Sequence, residues 1–432
     1  MRALLLTLFV SGSALAALPA SLTLEEALAL AREHRPSLQA ARAQVEAADA
    51  RARQALAPLL PSVSFNFGYS RSTANFVARP GAVPSSVDTA SAASLASSDY
   101  WSSGLQVSAT LWDFGQGWQR YQAALSTAQA QEAQERAQHR TSDYTVRTLF
   151  FAAASQRELV EIARAALENT SAHLAQIDGM VKVGTRPEID LAQAKADQAN
   201  ARLTVLNAKN GYAVARARVT QALGVAAPPT WEVVDGAPVA VEGEGQEVAV
   251  LLPEALGARP EVAALRAQVE AQERTLRGTR AAYFPSLGLQ LGGTLASRQL
   301  PTIVPNLSGQ LSLSWALYEG GVTPAREREG EATLRQLAAQ RDELTLQVSF
   351  EVQQALLDVS SAKETVEVAA EARAAAQEKL RLAEGRYRAG AGNALELSDA
   401  QVTATQAAGQ EVQAKFTLAA ARAALVAALG RR

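Results

Sequence analysis

Four short stretches of the chain alternate apolar residues with serine, glycine, asparagine, glutamine or threonine. In the first stretch, residues 62–70, the apolar positions are Val63, Phe65, Phe67 and Tyr69. Residues 103–114, 287–295 and 311–317 follow the same alternation, and leucine is their commonest apolar residue. A period of two predicts β-strands with one apolar and one small polar face. Strands of about 9–11 residues suit either a membrane-spanning barrel or a soluble sandwich that buries one face.

Most of the remaining chain is alanine-rich and has helical periodicity. A first helix is predicted over 24–57, because it follows Thr23 and ends before the prolines at positions 58 and 61. The longest predicted helix, about 117–180, contains no proline and would extend about 95 Å. A seven-residue spacing typical of a coiled-coil seam joins Val160, Leu167, Leu174 and Val181. A further helix is predicted over 188–223.

The chain contains an internal duplication. Residues 34–53 match residues 258–277 at an offset of 224, and residues 111–224 match residues 317–430 at an offset of 206. The difference between the two offsets, 224 − 206 = 18, predicts an 18-residue insertion between the first two strands. This insertion falls in the serine- and alanine-rich segment 71–102, which we interpret as an exposed loop.

These patterns predict four segments. Residues 1–16 combine Arg2, an apolar run and a small-residue ending at Ala14-Leu15-Ala16, which is the pattern of a cleaved secretory signal. The first repeat then covers 17–224, and the second covers 250–432. Between them, residues 225–249 carry three prolines and several glycines, which favours an irregular connector over a domain.

Composition excludes several functional classes. The net charge of −2 gives no basic face for nucleic acid. The absence of cysteine excludes disulfides, thiolate metal sites and a cysteine nucleophile. The histidines, His34, His139 and His173, lack metal-ligand spacing, and we find no catalytic triad, paired carboxylates or phosphate-binding loop. We therefore predict neither an enzyme nor a cofactor.

No segment after the signal reaches the ~20 apolar residues of a membrane-spanning helix. An exported chain that crosses a membrane would therefore have to use its strands. Four strands cannot close a barrel, since the smallest single-chain barrels have about eight. Several copies would have to share one barrel. Aromatic residues cluster near the predicted strand ends, as in a membrane-interface belt, at Tyr100, Trp101, Trp112, Trp315 and Tyr318.

Taken together, the sequence resembles the TolC family of outer-membrane efflux proteins. The resemblance covers the predicted mature chain, and the duplication and the two hairpins that follow Pro61 and Pro285 carry it. The strand exits at 111–115 and 317–321 and the turn sequences at 183–193 and 389–399 are its other specific elements. The implied fold is an α+β membrane protein. Each protomer of a homotrimer gives four strands to a shared β-barrel, which is continuous with a long periplasmic α-helical coiled-coil barrel.

The resemblance also implies a function and partners. The trimer would be the outer-membrane exit duct of a tripartite efflux or type I secretion system, in contact with outer-membrane lipid, a periplasmic adaptor and an inner-membrane transporter. Matching the family motif to this chain places the channel gate at Glu396, Asp399, Asp190 and Tyr387. The adaptor-contact turns would contain Val183, Gly184, Thr185, Arg186, Ala389 and Gly390.

Physical chemistry is compatible with the gate but does not require it. Glu396 and Asp399 are three residues apart and share a helix face, so three copies would form two stacked acidic rings that attract cations. Acidic residues in a first helical turn also stabilise the helix dipole, which is the simpler role. The family's basic residue after the second turn glycine is replaced by Gly392, and Arg386 or Arg388 would have to substitute for it. A passive porin-like channel or an envelope spacer is the alternative function.

Overall fold

The computed structural model describes residues 19–73, 97–234, 240–297 and 303–431. The predicted signal peptide lies outside these residues, as does most of the predicted insertion between the first two strands. The helices are α1 (Leu24–His34), α2 (Pro36–Leu56), α3 (Gln116–Lys182), α4 (Glu188–Leu223), α5 (Val248–Ala258), α6 (Pro260–Ala281), α7 (Val322–Arg388) and α8 (Ala394–Ala428). The strands are β1 (Ser21–Leu22), β2 (Ser62–Thr73), β3 (Ser97–Trp112), β4 (Glu232–Val233), β5 (Ser286–Ser297) and β6 (Val304–Ser314).

The predicted long helices are confirmed. Both α3 and α7 have 67 residues, and α4 has the predicted bounds. Within the predicted seam of α3, Val160 is buried, and Leu174 and Val181 pack against a buried cluster. Among the described helices, none is sufficiently long and apolar for a membrane span.

The single helix predicted over 24–57 is wrong. The chain breaks at Arg35, which has extended backbone (φ −65°, ψ 120°), so that α1 and α2 are separate helices. Pro36 causes the break, because a proline ring disfavours helical geometry at the preceding residue. The second repeat has the same break at Arg259, before Pro260.

The four long strands form an antiparallel sheet in the order β2-β3-β5-β6. Its register aligns like residues across the strands. One row contains Ser64, Gln106, Gly292 and Ser308, whereas the adjacent row, on the opposite face, contains Phe65, Leu105, Gly293 and Leu307. The apolar row is open to solvent in the single chain, with Phe65 68% and Leu307 88% exposed. The predicted alternation is therefore confirmed, and its apolar face is not buried in a core.

Two strand ends differ from the prediction. β6 ends at Ser314, so Trp315 and Leu317 lie beyond it, and β3 ends at Trp112, before Phe114. The Trp315 indole Nε1–H donates a hydrogen bond to the Tyr283 carbonyl oxygen (3.1 Å) instead of pointing from a paired strand. Phe114 adopts a positive φ of 54° and therefore cannot continue the extended backbone.

Two compact units divide the chain. The helical unit comprises residues 1–44, 132–264 and 340–432, and the sheet unit comprises residues 45–131 and 265–339. In the sheet unit, the buried helical residues are mostly small, for example Ala123, Ala128 and Ala271. A Cβ atom at Gly330 would lie 3.1 Å from Leu276 Cδ1, so the absence of a side chain permits close helix packing there.

In the helical unit, the described residues of the predicted connector, 225–234 and 240–249, include a short strand. This strand, β4, pairs in parallel with β1. Trp231, just before β4, is fully buried, and its Nε1–H donates to the Thr220 hydroxyl (3.0 Å). The connector therefore contributes a large side chain to the core of this unit.

Glu244 fixes the far end of the connector to two helices. Its carboxylate accepts hydrogen bonds from Arg422 of α8 (3.0 Å) and lies 2.7 Å from the Lys363 ammonium of α7. Burial acts to raise the pKa of Glu244, but the bonds from Arg422, Lys363 and the Val241 backbone N–H outweigh it and lower the pKa to about 2.

We expect Glu244→Gln to lower the free energy of unfolding at pH 7 by about 3 kcal/mol, because the folded pKa lies well below the unfolded value and each pKa unit corresponds to about 1.4 kcal/mol. The folded pKa is depressed, so this stabilisation is present above the unfolded pKa of 4.5 and disappears as the pH falls towards about 2. Denaturant unfolding followed by circular dichroism at several pH values measures the difference.

Glu247→Gln is the matched control, because this exposed side chain makes no capping bond. It should leave the unfolding midpoint unchanged. A difference between the Glu244 variant and wild type that stays constant from pH 7 to pH 2 would contradict the assignment.

Candidate functional site at the two helix turns

The two tight helix turns of the helical unit have the same backbone geometry. Gly184, after α3, and Gly390, after α7, have φ angles of 75° and 73°. The N–H of Thr185 donates to the Met180 carbonyl, and that of Ala391 donates to the Arg386 carbonyl, both at 2.9 Å. This is the Schellman arrangement, which favours glycine because a Cβ atom strains a left-handed residue. Each turn therefore ends one helix in a fixed direction.

The predicted adaptor-contact residues divide into two groups. Val183, Gly184, Thr185, Ala389 and Gly390 are exposed, and the Val183 side chain is 74% exposed. Arg186 is not; its guanidinium turns inward and retains only 21% exposure. The turns thus offer a small, mostly uncharged surface, and Arg186 belongs to the packing behind it.

Tyr387 is the centre of that packing. It is 2% exposed and lies in a cluster with Ile177, Leu397 and Ala400. The Arg186 guanidinium carbon lies 4.5 Å from the centre of the Tyr387 ring, a cation–π distance. The Tyr387 hydroxyl has no hydrogen-bond partner among the described residues, and burial raises the pKa of this phenol.

Asp190 and His173 complete the surroundings of Tyr387. The Asp190 carboxylate lies 3.8 Å from the Arg186 guanidinium, one helical turn away on α4. The His173 ring, on α3, meets the Tyr387 ring edge-on with centroids 5.1 Å apart. Burial lowers the pKa of His173, which favours its neutral form. The structure therefore brings two predicted gate residues, Asp190 and Tyr387, together through Arg186, whereas sequence reasoning missed His173.

The other two predicted gate residues, Glu396 and Asp399, each have a cation from their own chain. The Glu396 carboxylate lies 2.8 Å from the Arg386 guanidinium. The Asp399 carboxylate lies 2.8 Å from the Lys379 ammonium. All four side chains remain partly exposed, so each pair contributes little to stability. The pairs matter more for the local charge, because a cation beside each carboxylate partly neutralises it.

Gly392 stands where the family has a basic residue, and it packs closely against the end of α7. The Gly392 N–H donates to the Arg386 carbonyl (3.1 Å), and a Cβ atom at 392 would lie 3.1 Å from the Tyr387 nitrogen. A side chain at 392 would therefore need a small backbone shift, as the first turn accommodates with Arg186 at the equivalent position. Of the two alternatives that the sequence offers, Arg386 lies against the predicted gate residue Glu396, and Arg388 pairs with Glu384 on its own helix (3.0 Å).

The tight antiparallel turn between α7 and α8 determines which of their residues face each other, and this spacing could have predicted the pairing of Lys379. In each ion pair across the turn at Gly390, the two residues are separated from Gly390 by similar numbers of residues along the sequence. Arg386 with Glu396 and Lys379 with Asp399 are examples. The next such pair is Arg373 with Glu411 (2.6 Å). Three cation–carboxylate pairs therefore join α7 to α8. Within the described part of the chain, no cluster of histidine, aspartate and glutamate is suited to a metal ion.

Comparison with known proteins places these turns in a family context. The outer membrane efflux protein family matches residues 27–225 and 251–431. The pyoverdine export outer membrane protein OpmQ of Pseudomonas putida is 26% identical over 421 residues, covering 95% of this chain and 86% of that protein. CyaE of Bordetella pertussis is 27% identical over 418 residues, covering 95% and 84%.

Among solved structures, the outer membrane protein VceC of Vibrio cholerae has the same fold. It superposes with a TM-score of 0.79 at 19% identity, covering 94% of this chain and 96% of that one. The predicted family resemblance is confirmed by the family match, which includes both helix turns and both hairpins. This chain belongs to the outer membrane efflux protein family.

Proposed function

We propose that this protein is the outer-membrane exit duct of a tripartite efflux or type I secretion system. One observation carries the proposal: a member of the outer membrane efflux protein family has a four-stranded sheet with an exposed apolar face and two unpaired edges. Lipid would cover the apolar face, and further copies of the chain would pair the edges. The curated relative OpmQ is named for pyoverdine export, which supports export as the role of this architecture.

The edge strands favour a closed homo-oligomer, and the family resemblance makes it a trimer. β2 and β6 each have one side without a partner among the described strands. Unpaired backbone groups are very costly in hydrocarbon, so the sheet must close. β2 and β6 have the opposite directions that antiparallel pairing between neighbouring copies requires. Three copies would give twelve strands, an even number above the minimum of about eight.

The helical unit also has uncovered apolar surface. Leu346, Phe350 and Leu357 lie on one face of α7 and are 72%, 64% and 63% exposed. Leu203 and Val214 form a similar stripe on α4, at 56% and 44% exposure. A stripe of apolar residues at helical spacing on a solvent-exposed helix surface is typical of a protein–protein contact. In the proposed trimer, neighbouring copies cover these stripes.

We expect Leu346→Glu combined with Phe350→Glu to convert detergent-solubilised trimer largely to monomer, because two charges would be buried in the contact. Size-exclusion chromatography with light scattering measures the mass. The control is Val183→Glu, an equally exposed site in the turn outside the stripe. Survival of the trimer in the double variant would contradict the stripe as a subunit contact.

The turns form the proposed periplasmic entrance. Glu396 and Asp399 narrow it, and Arg386 and Lys379 partly neutralise them. Tyr387 and Asp190, joined by Arg186, hold the two turns together in the closed state. The half-buried position of Arg186 supports this role, since a cation that contacts both an aromatic ring and a carboxylate stabilises one arrangement of the helices.

We expect Arg186→Ala to raise the open probability of the reconstituted channel about fivefold or more. The variant loses a cation–π contact and an ion pair, together about 1–2 kcal/mol in favour of the closed state. Single-channel recording in planar bilayers measures the change. Lys195→Ala, which removes an exposed cation from α4, should behave as wild type.

The same recordings test the alternative of a passive porin-like channel. A pore that is already wide in the wild type and is unchanged by Arg186→Ala would favour the passive channel over a gated duct.

The exposed turn residues are the proposed contact with a periplasmic adaptor, which connects the duct to an inner-membrane transporter. We expect deletion of the gene to increase drug susceptibility or abolish secretion of a protein, and the wild-type gene to restore it. Val183→Glu should fail to restore export, because a charge would enter the mostly uncharged docking surface.

Val183→Glu must remain a trimer in the outer membrane for this result to report on docking. Immunoblotting of membrane fractions and photocrosslinking from position 183 to a periplasmic protein provide that check. Unchanged susceptibility and secretion in the deletion strain would contradict the exit duct itself. Normal export by Val183→Glu would contradict only the docking role of this turn.

A further inference from the structure

A cavity in the helical unit, away from both turns, is lined mainly by arginine. Its volume is about 490 Å³, and it lies among α1, α2, α3, the start of α6 and the end of α8. The arginines are Arg32, Arg42, Arg136, Arg140, Arg147 and Arg431. Asp143 is the only acidic residue among the lining residues, all of which belong to the part of the chain that the structure describes. The cavity therefore has a strongly positive wall.

Four of these arginines have an acidic partner. Arg32 pairs with Asp143 (2.6 Å), and Arg42 with Glu135 (3.7 Å). Arg431 pairs with Glu254 (2.7 Å), and Arg140 pairs with Glu261.

The remaining two arginines of the cavity differ from these four. Arg136 and Arg147 have no ion pair or hydrogen bond among the described residues, and the Arg147 Nε atom is buried without a partner. The positive charges of Arg136 and Arg147 are therefore not balanced by an ion-pair partner. Burying the Nε–H group of Arg147 without an acceptor is costly. The Asp143 carboxylate attracts Arg147 electrostatically but is already hydrogen-bonded to Arg32, so the fold does not supply Arg147 with an acceptor of its own.

The internal duplication provides a comparison within the molecule. At the offset of 206 residues, the counterparts of Arg136, Arg140 and Arg147 in α7 are Asp342, Leu346 and Gln353. α7 forms the same 67-residue helix as α3 without these arginines. The helix therefore does not need them, and these three arginines of the cavity wall are specific to α3 of the first repeat.

We propose that this cavity binds a small anion with two or more phosphate or carboxylate groups, which Arg136 and Arg147 contact directly. A guanidinium donates two parallel hydrogen bonds to either kind of oxyanion, and such charge-assisted bonds are the strongest in proteins. The volume is in the usual range for small-molecule sites. The two unmatched charges fit a dianion. This binding site does not depend on the proposed export function.

The test is isothermal titration of the detergent-purified, full-length protein with inorganic phosphate, pyrophosphate and citrate at matched ionic strength. We expect saturable binding of pyrophosphate or citrate that is tighter than binding of phosphate. Arg136→Gln combined with Arg147→Gln should weaken it about a hundredfold, since each substitution removes hydrogen bonds between charged groups. Tighter binding of pyrophosphate would identify a phosphate ligand, and tighter binding of citrate would identify a carboxylate ligand.

Two controls separate binding from folding and from general charge. Arg202→Gln removes an exposed arginine of α4 and should leave the affinity unchanged. Gln at 147 copies Gln353 of the second repeat, so the double variant should keep the helix. If it does not fold, the single variant Arg136→Gln decides, because Arg136 is exposed; it should bind about tenfold more weakly.

Absence of saturable binding of both pyrophosphate and citrate to the wild type would overturn the proposal. Equal affinity of the wild type and the Arg136 variant would overturn it as well, because the contact with the unpaired arginines is its central statement.

Discussion

The backbone N–H and C=O groups of an edge strand need hydrogen-bond partners, and this requirement determines how copies of the chain must associate. Among the described strands, β2 and β6 have no partner on one side, and the sheet between them has an apolar face on which Phe65 and Leu307 are exposed. In water, such a surface would aggregate; in lipid, the open edges would be prohibitive. Closure with identical copies satisfies both demands. The chain belongs to a family of outer membrane proteins, so the outer membrane is where the sheet would close in this way.

Duplication gives the chain two versions of one structural plan, and the differences between them are informative. Both repeats have a proline-induced helix break, a pair of strands, a 67-residue helix and a glycine turn. The first turn supplies Arg186 and Asp190, and the second supplies Tyr387. The contact at the turns therefore needs both repeats, and neither could form it alone. Divergence after duplication has separated a common scaffold from specialised residues.

Much of the fold was predictable because it depends on local patterns. The period-two alternation at Phe65 and Phe67 predicted strands, and proline-free alanine-rich sequence predicted α3 and α4. The break at Arg35 also has a local signal, Pro36, but the helical periodicity continues on both sides of it and conceals the break. Strand ends were harder, since Trp315 fits the alternation although the chain has already left the sheet.

The candidate site was predictable only in part, because its geometry depends on pairs that are distant in sequence. The family motif indicated Tyr387 and Asp190, but nothing in the sequence showed that Arg186 lies between them. The pairing of Lys379 with Asp399 follows from the exact length of the turn at Gly390. The arginine cavity was not visible at all, since Arg32, Arg147 and Arg431 come from three remote segments of the chain.

The break before Pro260 has a mechanical consequence. The Arg259 side chain, 4% exposed, donates to the Ala428 carbonyl oxygen (2.7 Å) and to the Glu351 carboxylate (2.5 Å). Flexing the backbone at this joint would strip a guanidinium of its acceptors inside the protein, at a cost of about 3 kcal/mol or more. At the glycine turns the tips are exposed, and the Arg186 guanidinium that lies against the Tyr387 ring behind them keeps 21% exposure. Losing that contact would leave the cation open to water and would cost less than stripping Arg259. The helical unit is therefore held more firmly where the chain kinks than where the long helices reverse.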